Sequence, residues 1–333
     1  MKIYSVTRDN TTVNKQVSQM RSLVLVAAGE LEEVTLPIPE PGPNEVLLKM
    51  EGCGVCASSL PVWQGRDWFQ YPLEPGVPGH EGWGIVDAVG QQVKGFSKGQ
   101  RVSSLSTKAF STHDTVDQNQ LIPLPDHLDG YPFPGEPLGC AMNIFKRCQI
   151  QKGQTVAIIG VGFLGALLIQ LAKSQGARVI GISKRPYSLE IADYVIPLQD
   201  HHTVINEVKH ITKEKFCDCV IEVTGKEWPL NLGIELTKVR GRLVVAGFHQ
   251  DGMRQVNLQL LNWRGIDMIS AHERDQEKYV EGVKNAIQAI EENKLAPFSL
   301  FSNFYSMEEA AQAFQDLENR PRNFVKGIIL FDQ

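Results

Sequence analysis

A chain of 333 residues, 42% hydrophobic and 21% charged, can bury a full core and divides into about two domains, which excludes disorder as its main state. With 33 Lys and Arg against 38 Asp and Glu, the formal net charge of -5 has the wrong sign for a nucleic-acid or anionic-membrane binder and favours a small-molecule partner. Six cysteines are too few for a disulfide scaffold and indicate reduced thiols in the cytoplasm, and no stretch approaches the length of a membrane span.

Residues 1–19 are polar, without sustained period, and read as an N-terminal extension or edge hairpin. The apolar run 23–28 follows Arg21, but it is short and leads at once into Glu30, Glu32 and Glu33, so it is a first strand rather than a targeting signal. Further short runs at 45–50, 84–89 and 121–124, separated by Pro and Gly, predict a β-rich partial barrel, with 37–43 as a turn region. The pattern changes between Gly135 and Gln149. From Thr155 onward, strands at 155–159, 177–182, 218–223, 241–246 and 267–271 accompany helices such as 163–174 and 276–293, the pattern of a doubly wound parallel sheet. A helix at 307–317 and a strand at 325–331 then return to the first domain. The expected domains are 20–140 completed by 295–333, and 141–294 between them.

Gly160-Val161-Gly162-Phe163-Leu164-Gly165 follows a strand directly and opens an apolar helix, as a dinucleotide site requires. Gly160 permits the turn, Gly162 lets a pyrophosphate approach, and Gly165 lets helix and strand pack, while Phe163 and Leu164 begin the helix whose N-terminus faces the phosphates. The second strand ends in Ser183-Lys184-Arg185, without the Asp or Glu that binds the ribose hydroxyls of NAD. These three residues suit the extra phosphate of NADP, so NADP(H) is expected over NAD(H). The alternative is two solvated basic residues on a βα loop.

Three separated pieces carry metal chemistry: Gly52-Cys53-Gly54-Val55-Cys56-Ala57-Ser58, Gly79-His80-Glu81-Gly82, and Gly135-Glu136-Pro137-Leu138-Gly139-Cys140. A thiolate, an imidazole and a carboxylate leave one position open on zinc, the arrangement of a catalytic site. With the glycine fingerprint in this order, the chain resembles the zinc-containing medium-chain dehydrogenase/reductase superfamily, the alcohol and polyol dehydrogenase group, from Met20 to the C-terminus. The resemblance implies a GroES-like catalytic domain plus a Rossmann domain. It also implies zinc held by Cys56, His80 and Glu136, with Glu81 beside the metal as a backing or exchanging ligand and the Ser58 hydroxyl on the substrate oxygen. Glu136 in place of Cys is the pattern of polyol and threonine dehydrogenases. Two positions depart from that pattern: Ser59 stands where many members carry Asp, and Pro61 where many carry a relay histidine. Residues 102–110 contain no Cys, so one catalytic zinc and no structural zinc are expected.

The expected reaction is hydride transfer between NADP(H) and a secondary alcohol or ketone of the polyol, sugar or cyclitol class. The alternatives are a metal-poor carbonyl or enoyl reductase, or a non-catalytic NADPH-binding protein. A homodimer or homotetramer joined through 267–271 is implied by the family. Cys53 reads as a packed thiol, Cys217 and Cys219 as core, and Cys140 and Cys148 as residues around a helix start without catalytic role. His113, His127, His201, His202, His210 and His249 read as surface or polar-network residues. The stretch Asn262-Trp263-Arg264-Gly265 is left open between cleft, subunit contact and packed connection.

Overall fold

The computed structural model describes residues 18–185 and 191–332, so the extension expected over 1–19 lies, for 1–17, outside the described residues. The described chain begins as an antiparallel pair, β1 (Gln19–Ala27) and β2 (Glu30–Pro37), with Leu25 opposite Leu31. There follow β3 (Glu45–Gly54), the single turn α1 (Leu60–Trp63), β4 (Gly82–Val89), β5 (Arg101–Ser104), β6 (His113–Asp117) and β7 (Leu121–Pro123). Next come α2 (Gly135–Cys148), β8 (Thr155–Ile159), α3 (Phe163–Ser174), β9 (Arg178–Ser183), β10 (Tyr194–Pro197) and α4 (His201–Thr212). The chain continues through β11 (Cys217–Glu222), α5 (Glu227–Leu236), β12 (Thr237–Val245), α6 (Leu258–Arg264), β13 (Asp267–Ser270) and α7 (Gln276–Glu291). It closes with β14 (Asn303–Tyr305), α8 (Ala310–Asn319) and β15 (Gly327–Leu330).

Two large sheets organise these elements. In the first, β3 pairs antiparallel with β4, β6 and β15, β5 bridges β4 to β7, and β14 lies beside β15. Its core gathers Leu25, Leu48, Met50 and Phe110 with Trp63, which stacks on Phe314 of α8 at 4.9 Å between ring centroids. In the second, six parallel strands run in the order β10-β9-β8-β11-β12-β13. All five residues of β8 are buried, as a central parallel strand covered on both faces requires, and each large apolar side chain there contributes about 1.5–3 kcal/mol. The winding direction reverses between β8 and β11, so a crevice opens at the carboxyl ends of those two strands.

Several sequence expectations change. Cys140 and Cys148 do not flank a helix start: α2 begins at Gly135, which puts Cys140 in its second turn and Cys148 at its last residue. Residues 262–264 are the end of α6, closed by Gly265 in the left-handed region, and Trp263 is 85% exposed, so this stretch is not a packed connection. β12 begins at Thr237, four residues ahead of the expected strand.

Candidate metal and dinucleotide site

β3 ends at Gly54, and the chain then bends through Cys56 into a 3-10 turn, Ala57–Ser59, that precedes α1. Cys53 points into the core, its thiol donating to the Gly54 carbonyl at 3.4 Å, whereas Cys56 is only half-buried. The approach to β4 brings His80 and Glu81 against this bend. One donor atom from each of Cys56, His80 and Glu81 lies within 4.8 Å of the others. His80 Nδ1 donates to the Pro78 carbonyl at 2.9 Å, which turns Nε2 inward toward Cys56 and Ser58. The Ser58 hydroxyl lies 3.2 Å from both Cys56 Sγ and His80 Nε2.

Glu81 is fully buried. Its Oε2 forms an ion pair with Lys326 Nζ, and its Oε1 has no hydrogen-bond partner among the described residues. A buried acceptor without a partner costs about 1–3 kcal/mol, a penalty that a cation beside it removes. A side chain at Gly54 would collide with this carboxylate, so glycine is required there. Burial lowers the His80 pKa, but the charges of Cys56, Glu136 and Glu81 outweigh it and push the value up to about 10. A site that holds a proton this firmly is electrostatically built for positive charge.

Glu136 stands at the start of α2, close enough for His80 to draw its pKa down against the larger upward push of burial. Its donor atoms lie outside the tight group of three, and its Oε1 accepts from the Cys140 thiol at 3.1 Å. The Glu81 carboxylate takes the third place in that group. Cys140, given no role from sequence, thus contacts an expected ligand. The i,i+4 spacing of the two residues on a helix was the available signal. Lys326 was missed entirely. Buried ahead of β15, it donates to the Val55 carbonyl at 3.1 Å, and its Nζ lies 5.1 Å from the ring centroid of Phe163. It therefore connects the acidic cluster to the first residue of α3.

At the crevice, Gly160 takes φ 97, and a side chain on Gly165 would collide with the Gly160 carbonyl. A Cβ built on Gly162 meets nothing within 4 Å, so open space remains where a dinucleotide would lie. At the end of β9, Ser183 is buried and its Oγ accepts from the Arg185 N–H at 3.2 Å, while Lys184 is exposed. Leu164 is half-buried beside the apolar core beneath the turn. His249 is half-buried, with Nε2 3.0 Å from the buried Glu222 Oε2 at the end of β11.

Residues 42–135 match the family model for the alcohol dehydrogenase GroES-like domain, and residues 164–289 match that for the zinc-binding dehydrogenase domain. The chain belongs to the zinc-containing medium-chain dehydrogenase/reductase superfamily. Within it, the chain is 27% identical to sorbitol dehydrogenase of Ovis aries, over 90% of this chain and 94% of that one. It is also 27% identical to an NAD-dependent alcohol dehydrogenase of Sulfurisphaera tokodaii, covering 90% and 97% of the two chains. A Sinorhizobium meliloti structure, named as a zinc-binding dehydrogenase bound to NADP, superposes with a TM-score of 0.79 at 23% identity, covering 94% and 99%. As a medium-chain dehydrogenase/reductase, the protein combines a GroES-like domain with a Rossmann-like domain and is an alcohol dehydrogenase-type oxidoreductase acting on a small molecule. No helix among the described residues is long and apolar enough to cross a membrane.

Proposed function

We propose that this chain is a zinc-dependent oxidoreductase that moves a hydride between NADP(H) and a secondary alcohol or ketone, with a polyol, sugar or cyclitol as substrate class. The observation that carries the reading is the convergence of Cys56, His80 and Glu81 around an unpartnered buried carboxylate oxygen, with the Ser58 hydroxyl touching two of them. Cys56, His80 and Glu136 would hold the metal, and Glu81 would back it from Lys326. Zinc at that place supplies a Lewis acid for the substrate oxygen, and NADP(H) supplies or accepts the hydride. Ser58 holds the substrate hydroxyl and relays its proton, releasing its own hydroxyl proton toward solvent as it takes the substrate's, because Pro61 has no titratable group to receive it. Ser183, Lys184 and Arg185 take the additional phosphate of NADP. β13 is an edge strand with Met268 45% exposed, which supports pairing of two chains through that edge. All six cysteines are unpaired, which supports a reducing, cytoplasmic setting.

Elemental analysis tests the reading. Protein purified without chelators is expected to hold about one zinc per chain, Cys56→Ser and His80→Ala are expected to lose it, and His80→Ala is expected to abolish turnover while still binding NADPH. Near-zero zinc in the wild type would instead identify a reductase that keeps these residues as structure.

A further inference from the structure

Between β12 and α6 the chain makes an excursion across the cleft. Its base is rigid. Ala246 and Gly247 both donate to the Glu222 carbonyl at 2.8 Å, and Phe248 stacks on His272 with ring centroids 5.2 Å apart. His249 is held between Glu222 at 3.0 Å and Arg254 at 3.3 Å. From this base two side chains reach the first domain. Gln250 Nε2 donates to the backbone carbonyl of Ser58 at 3.2 Å, and Asp251 pairs with Arg66 at 3.4 Å while Lys226 holds it from behind at 3.1 Å.

The Ser58 carbonyl is an unusual acceptor. In its 3-10 turn the Ser59 N–H bonds the Cys56 carbonyl and the Leu60 N–H bonds the Ala57 carbonyl. The next donor in that series is Pro61, which has no N–H. Gln250 supplies the bond that proline cannot. A side chain of the nucleotide-binding domain thus holds the backbone of the residue whose hydroxyl faces Cys56 and His80.

We propose that Gln250 is a positioning residue for Ser58, tying the placement of that hydroxyl to the closure of the two domains. The inference rests on the role given to Ser58 above. When the domains separate, the Gln250 bond is lost and Ser58 keeps only its local turn. When they close, the hydroxyl is held in register with the metal ligands.

The test uses the full-length, zinc-loaded enzyme and Gln250→Met, which keeps length and loses the donor. Hydrogen exchange at the Ser59 and Leu60 amides, measured without substrate, is expected to speed up several-fold. With NADP+ and D-sorbitol or 2,3-butanediol, kcat is expected to fall about ten-fold through loss of positioning, with the KM for NADP+ and the zinc content within about two-fold of wild type. Asp251→Asn, which removes the Arg66 ion pair and leaves the amide in place, is expected to change exchange at Ser59 by less than about two-fold. Unchanged exchange in Gln250→Met, an equal effect in Asp251→Asn, or a kcat loss matched by weaker NADP+ binding would overturn the assignment. If neither alcohol is turned over by the wild type, the exchange measurement still decides the tether, and that failure counts against the proposed function alone.

Discussion

Asp114 shows how a single buried charge sets a pH dependence far from the site. It sits on β6, buried, with Ser106 donating to its carboxylate. Burial pushes its pKa up to about 6 from the ordinary 3.8, against the downward pull of the Ser106 hydroxyl and the Thr115 backbone. The folded chain therefore binds this proton more tightly than the unfolded chain does. The resulting stability is fully present below the unfolded value and is lost as pH rises through the folded one. Asp114→Asn keeps an acceptor for Ser106 without the charge. It is expected to gain stability over wild type by about 2 kcal/mol at about pH 7.5, with the difference shrinking toward about pH 4. Urea unfolding of both proteins across that range checks it, and a pH-independent difference would sink the explanation. At this same scale the sequence was least readable. Cys56, His80 and Glu81 were legible because short motifs hold them together. Lys326 was not, because a lone lysine ahead of a strand gives no sign that it meets a carboxylate 245 positions earlier.

Among the elements, β8 and α3 coincide with the strand and helix read from sequence, since a central parallel strand and an apolar helix joined by glycines leave few alternatives. β2 was missed for the opposite reason. Its exposed Glu30, Glu32 and Glu33 hide the alternation, and among the described residues its only strand partner is β1. In the proposed function, cofactor choice is set at the β9 terminus. With no acidic residue from Ser183 to Arg185, Lys184→Ala combined with Arg185→Ala is expected to reduce the NADP+ over NAD+ preference in kcat/KM by about ten-fold or more, equivalent to about 1–3 kcal/mol of charge-assisted bonding. A preference near unity in the wild type, unchanged in the double variant, would return these residues to solvated loop cations.

For the whole molecule, the open edge of the second sheet is the feature that supports the proposed pairing of two chains. Met268 on β13 is 45% exposed, and Leu258 and Trp263 on α6 are 65% and 85% exposed. Light scattering at micromolar concentration is expected to give at least twice the 37.1 kDa chain mass, and Met268→Asp is expected to shift it toward the single chain. A wild-type monomer would contradict this reading. The first sheet has the contrary property, because its last strand comes from the far end of the chain. Lys326 reaches the Val55 carbonyl across a sequence separation of 271 residues. During synthesis at about 5–20 residues per second, the second sheet can assemble from one continuous stretch while β3 waits with its β15 edge open. Glu81 therefore waits for its lysine until the segment carrying β15 has been made, and the candidate metal site gains that ion pair only then.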